Sequence, residues 1–200
     1  MVGNPDLDPE RSLFFEYGIH HAGGTVRSSA SVFHNQVRDY IVPELVDPCL
    51  YRMGNVSRAD LYGAELDVEW DFLPNWTVFG NIAYTQGKDK STDDWLRFVA
   101  PLNGLFGVTQ KMDSGLWWTL ESQWAAKQTR VPQGVDQSAA WITMNARAGY
   151  DFTLAGLQHA VILGVTNIFN ETYRNHLATS RGIELREPGL NAYLNWRVKF

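Results

Sequence analysis

The last eleven residues of the chain alternate in character. Leu190, Ala192, Leu194, Trp196 and Val198 are apolar, and Asn191, Tyr193, Asn195, Arg197 and Lys199 fall between them. A period of two puts every apolar side chain on one face of an extended strand. A strand of about eleven residues, tilted by roughly 45°, is long enough to cross the hydrocarbon of a bilayer. The pattern recurs upstream, where Tyr62, Ala64, Leu66, Val68 and Trp70 alternate with Gly63, Glu65, Asp67 and Glu69. Three carboxylates on one face require water there, so the spacing predicts strands that are apolar on one side and hydrated on the other.

Ile142 to Phe152 and Trp118 to Trp124 repeat the alternation. Further strands are expected near Leu13 to His20, Val26 to Val42, Trp76 to Gln86, Phe98 to Lys111 and Ala160 to Phe169, about nine in all. Around Val26 and Ala160 small and apolar residues occupy both faces, and the register stays open. Tight turns are expected at His21-Ala22-Gly23-Gly24, Leu73-Pro74-Asn75, Asp113-Ser114-Gly115 and Leu154-Ala155-Gly156. They alternate with long connections at roughly Pro43 to Arg58, Gly87 to Arg97, Lys127 to Ala140 and Asn170 to Arg186. Short turns on one side and long loops on the other are the arrangement of an antiparallel transmembrane β-barrel. Trp70, Phe72, Trp76, Trp117, Trp118, Tyr150, Phe152, Trp196 and Phe200 fall near the short-turn end and would form one interfacial girdle. Tyr40, Tyr84, Phe98, Trp124 and Trp141 would form the other.

Composition agrees with this and excludes other classes. With 17 Lys and Arg against 22 Asp and Glu, the net charge is -5, so no basic surface invites nucleic acid. Cys49 is the single cysteine and forms no internal bridge. No run of 18 apolar residues exists and the mean hydropathy is -0.26, which excludes helical spanning but not barrel spanning. The first residues carry neither a charged nor an apolar signal region, so an export signal is expected upstream. Nine strands is an odd number, whereas single-chain bacterial barrels close with an even one. An unpaired edge in lipid leaves backbone groups unsatisfied, and the remaining strands are expected upstream as well. A soluble β-sandwich that binds carbohydrate or protein is the competing fold, and a small passive porin or anchor is the competing barrel.

Several segments then resemble one family. Asn4-Pro5-Asp6-Leu7-Asp8-Pro9-Glu10 is similar to the segment preceding a mid-barrel strand in TonB-dependent receptors, with Asp8 where Lys is common. Gly54-Asn55 leading to Gly63-Ala64-Glu65, the run Gly164 to Asn170 followed by Tyr173 to Leu177, and Glu187-Pro188-Gly189 before a closing strand ending in Phe200 resemble later landmarks of that family, in order. The resemblance implies that residues 1–200 are the C-terminal portion of a plugged barrel in the bacterial outer membrane, with the plug and earlier strands absent. It implies uptake of a metal chelate, a ferric siderophore first among the candidates. TonB would act through the absent N-terminal region. Outer-membrane lipid would surround the wall, and the assembly machinery would read the terminal strand at Phe200.

No catalytic set is present: GxSxG, HExxH, a Walker loop and GxGxxG are all missing, and neither enzyme activity nor a cofactor is expected. Ser180, His176 and Glu184 share a loop without forming a triad pattern. Cys49, Met53 and His34 are soft ligands that would suit copper if they met. Tyr173, Arg174, His176 and Arg181 in the last long loop are the candidate substrate-binding residues, able to hold an anionic chelate by charge and stacking.

Overall fold

The computed structural model describes residues 3–47, 50–180 and 183–199. The strands are β1 (Arg11–Gly23), β2 (Val26–Asp47), β3 (Leu50–Leu73), β4 (Trp76–Asp89), β5 (Asn103–Lys111), β6 (Leu116–Ala125), β7 (Trp141–Leu154) and β8 (Leu157–Thr166), followed by a minimal hairpin, β9 (Thr179–Ser180) with β10 (Ile183–Glu184), and finally β11 (Asn191–Lys199). β1 to β8 and then β11 form one antiparallel nine-stranded meander, with β1 and β11 at its two edges. It is a segment of an unclosed barrel, as the alternation predicts.

The pairing settles which residues share a face. Tyr17 lies opposite Val32, Val32 opposite Ala64, and Ala64 opposite Tyr84. Farther along, Val108 meets Leu120, Leu120 meets Ala146, Ala146 meets Val165, and Leu163 meets Leu194. One apolar surface therefore runs across all nine strands, and it keeps large side chains bare: Leu163 is 60% and Leu194 68% exposed. The open registers resolve accordingly, with Val26, Ala30 and Val32 of β2 and Val161, Leu163 and Val165 of β8 on the apolar side. The other face carries Glu65, Asp67, Glu69, Thr119, Glu121, Asn145, Arg147 and Asn195 in the same register. It is concave, forming an open trough lined by Thr119, Arg147, Asp151 and Arg197. Arg27 there bridges Glu69 at 2.7 Å and Asp71 at 2.8 Å.

Glycines of the sheet stand opposite aromatic rings. Phe33 covers Gly63, Phe79 covers Gly107, Trp117 covers Gly149 and Tyr193 covers Gly164, each a directly paired residue on the polar face. The absent side chain gives the ring room to lie flat on the neighbouring strand, which recovers packing that glycine alone would lose.

Turns fall where expected. Two-residue connections join Gly23 to Val26, Leu73 to Trp76 and Leu154 to Leu157. Ala155 and Gly156, at φ 52° and 79°, supply the consecutive left-handed conformations that a tight hairpin needs. The expected loop from Pro43 to Arg58 is a correction. β2 and β3 continue as a paired ladder as far as Asp47 and Leu50, because Tyr40, Ile41, Val42, Tyr51 and Met53 favour extended structure. Asn4 to Glu10 is pinned along this extension: the Asn4 amide donates to Met53 O at 2.8 Å, Asn55 exchanges bonds with Asp8, and Ile41 N donates to Glu10. β5 begins at Asn103 rather than near Phe98, which has a left-handed φ of 61° two residues after Leu96 turns inward.

The girdles need two corrections of the same kind, and Tyr40 leaves the second girdle too, because after Asp39 at φ 56° it packs against the buried residues Val37, Ala59, Leu96 and Val99. Trp70, Phe72, Trp76 and Trp118 form a chain of rings with centroids 5.4–6.0 Å apart, and Tyr150, Phe152, His159 and Trp196 form a second. Trp117, however, is adjacent to Trp118 and therefore points to the polar face, where its indole donates to Asp151 at 3.0 Å. Trp141, paired with Ala125, likewise belongs to the polar face. Phe200 lies outside the described residues.

Candidate functional site

At the long-loop end, three connections fold inward and meet. Residues 90–102 bring Leu96 and Val99 over Gly87, against Val37 and Ala59 of the polar face, and these four apolar residues form a buried cluster. Leu96 is 3% and Ala59 0% exposed. Gly87 is required beneath them, since an added Cβ would lie 2.9 Å from Leu96 Cδ1. Lys88 fixes the start of this loop, bonded to Asp93 at 2.8 Å and over the Trp95 ring at 4.9 Å. The Lys88 ammonium holds the Asp93 carboxyl below the usual carboxylate range.

Residues 126–140 are tied to that loop through Gln128, which is fully buried and donates to Val99 O at 2.8 Å. Its carbonyl oxygen accepts from Arg130 N, and Gln133 N donates to Asp94. The Arg130 guanidinium donates to the Tyr84 hydroxyl at 2.6 Å and stands 5.0 Å from the Tyr84 ring centroid, a cation–π contact.

The last connection, residues 167–190, starts at Asn167. It has a φ of 52°, and its side chain accepts from Glu171 N and donates to Glu171 O and Pro188 O. That asparagine ends β8 before Phe169 and closes the base of the loop. Of the sequence candidates, Tyr173, Arg174 and His176 come together here. The Tyr173 ring packs against Trp141 at a centroid distance of 4.3 Å, tilted by 34°, Arg174 donates to Gln137 O at 3.0 Å, and His176 Nδ1 lies 3.1 Å from Ser138 Oγ. All three join the last loop to residues 137–141. Burial holds the His176 imidazole below its usual 6.5, and the neighbouring charge of Arg174 adds to this. Burial also raises the Tyr173 phenol, helped by Glu187. Arg181 lies outside the described residues.

Beside these residues opens a cleft of about 430 Å³ lined by Gln137, Ser138, Glu171, Tyr173, Arg174 and Arg186. Two guanidinium groups and a phenol at one opening suit a ligand with anionic oxygens. Sequence reasoning missed Trp141 and Arg186. The polar-face parity of Trp141, in step with Thr143 and Asn145, was the available signal for the first. Nothing in the sequence distinguished Arg186 from other loop cations.

The soft ligands do not meet. His34 lies opposite Tyr62, and Met53 is nine positions farther along the same strand as Tyr62, about 30 Å at the rise of a β-strand. Cys49 lies outside the described residues. Among the described residues no group of three His, Cys, Asp or Glu side chains could hold a metal ion.

Residues 1–168 match the family model described as "TonB dependent receptor-like, beta-barrel". The chain is 24% identical over 242 residues to the "Probable TonB-dependent siderophore receptor PirA" of Acinetobacter baumannii, covering all of this chain and 31% of that protein. It is 26% identical over 104 residues to the "Iron-regulated outer membrane virulence protein" of Vibrio cholerae, covering 46% of this chain and 16% of that protein. Among solved structures it superimposes on the copper transporter OprC with a TM-score of 0.85 at 24% identity, covering 96% of this chain and 30% of the other. The chain thus spans about a third of the length of the relatives it matches over its full extent.

Proposed function

This chain belongs to the β-barrel family of TonB-dependent receptors, and on that premise we propose that it forms the C-terminal part of the barrel wall and of the outer rim in a receptor for an anionic metal chelate, a ferric siderophore first among them. Members of the family are outer-membrane proteins, and the family and its structural neighbours are transport receptors. The observation that carries the reading is the cleft between residues 137–140 on one side and 171–174 with 185–186 on the other, where Arg174, Arg186 and Tyr173 line one opening on the long-loop side. The siderophore named for the A. baumannii relative supports the choice of cargo. Captured chelate would pass along the hydrated concave face, with TonB supplying work through a region outside this chain. The assembly machinery would read the C-terminal sequence that includes Phe200.

The test is ferric-chelate binding by the receptor that contains this chain, followed through quenching of indole fluorescence. Replacing Tyr173 and Arg186 together with alanine is expected to weaken binding of a negatively charged ferric catecholate or citrate by tenfold or more. Unchanged affinity for the whole panel, or free passage of uncharged sugars through reconstituted protein, would favour the passive barrel instead.

A further inference from the structure

On the apolar side of the sheet, the register ends in cations at the long-loop end. Arg11 pairs with Arg38, and Arg38 pairs with Arg58, so three guanidinium groups occupy one row across β1, β2 and β3. Lys90 continues it, its backbone N donating to Arg58 O at 2.8 Å. One row nearer the membrane, Lys88 stands opposite Asp60. Like charges directly opposite each other destabilise a strand pair, and here the penalty repeats across consecutive strands.

The described residues do not neutralise the row. Asp60, 8% exposed, is shared between Arg58 at 3.4 Å and Lys90 at 3.7 Å. Its Oδ1 lacks a hydrogen-bond partner. Asp93 is engaged by Lys88 at 2.8 Å, and Glu10 accepts from Ile41 N. Among the described residues, Arg11 and Arg38 have no ion pair at all.

Depth identifies the counter-charge. From Trp70 in the short-turn girdle to Tyr62 is eight residues, roughly 27 Å along the strand and about 20 Å along the membrane normal for a tilt near 45°. Arg58 is four residues beyond Tyr62, about 10 Å farther out by the same geometry, and so at headgroup level. The row also faces the same way as Leu13, Val32 and Tyr62, away from the concave wall.

We propose that Arg11, Arg38 and Arg58, flanked by Lys88 and Lys90, form a site on the outside of the barrel for the phosphate groups of an anionic outer-leaflet lipid. Guanidinium groups grip phosphate through paired hydrogen bonds, and a phosphate between two arginines relieves their repulsion. A lipid is the source because its acyl chains would lie against Leu13 and Phe15, the next two outward residues of β1 and both exposed, contacts that free phosphate cannot use. The site rests on the apolar face meeting lipid and is independent of which chelate the rim takes.

Native mass spectrometry of the full receptor in detergent tests it, with a bis-phosphorylated glycolipid, its dephosphorylated counterpart and inorganic phosphate as separate probes. The phosphorylated lipid is expected to stay bound to the wild type and to an inner-face control, Arg147→Gln with Arg197→Gln. Its retention should fall tenfold or more in Arg38→Gln with Arg58→Gln, while Arg38→Lys with Arg58→Lys gives a smaller loss and guards against a folding defect in the glutamine pair. Equal retention by the glutamine pair, equal binding of the dephosphorylated lipid, or full displacement by millimolar phosphate would overturn the proposal.

Discussion

His176 shows how burial changes what a loop residue does. In the sequence it reads as an exposed ligand candidate, yet it is 8% exposed and held against Ser138. Its folded pKa lies below 6.5, so the released loop binds more protons than the docked one. The docking contributed by His176 is therefore complete above about pH 6.5 and is lost as the pH falls through the lower folded value. Limited proteolysis within residues 167–190 should accelerate on acidification in the wild type and lose that pH dependence in His176→Gln. An identical acid profile in the variant would remove the imidazole as the cause. The sequence showed the residue types of this cluster but not its docking, because which loops meet is decided by contacts between residues nearly forty positions apart, such as Ser138 with His176.

Strands were far more legible than loops. A strand declares its faces through a local period of two, and Leu194, Trp196 and Val198 could be placed without knowing their neighbours. β2 and β8 could not, since Ser28 and Ala30, or Ala160 and Gly164, fit either face until cross-strand partners fix them. Adjacent tryptophans exposed the limit of counting aromatics. Trp117 and Trp118 cannot share a surface, and the inner one rests on Gly149. Adding a side chain there must displace the indole, whose Cε2 would lie 2.5 Å from the new Cβ. Gly149→Val is expected to cost about 1–3 kcal/mol, as overpacking does, and Trp117→Ala in the same protein should recover part of it. Thermal midpoints of the refolded variants measure both effects, and a strictly additive double variant would mean that the ring and the glycine are not coupled.

Across the whole molecule the governing feature is the division of one sheet into an apolar and a hydrated surface. Spin labels at Leu163 and Leu194 in the reconstituted receptor should report lipid-soluble oxygen, and labels at Asn145 and Asn195 should report an aqueous relaxation agent. The reverse pattern would mean that the sheet is inside out. This division was readable in advance wherever a strand alternates strictly, whereas β2 and β8 took their faces only from their paired neighbours. The pairing of β2 and β3 beyond residue 42 was not, since nothing local distinguishes a ladder that continues past the membrane from an irregular connection of the same residues.

The fastening of residues 90–102 to residues 126–140, and of these to residues 167–190, bears on how such a protein can diversify. Transplanting one connection from a relative would strand the Gln128 amide without Val99 or leave His176 facing the wrong neighbour. New cargo preferences should therefore be inherited by exchanging the three crowns together, while the tightly turned opposite margin stays unchanged.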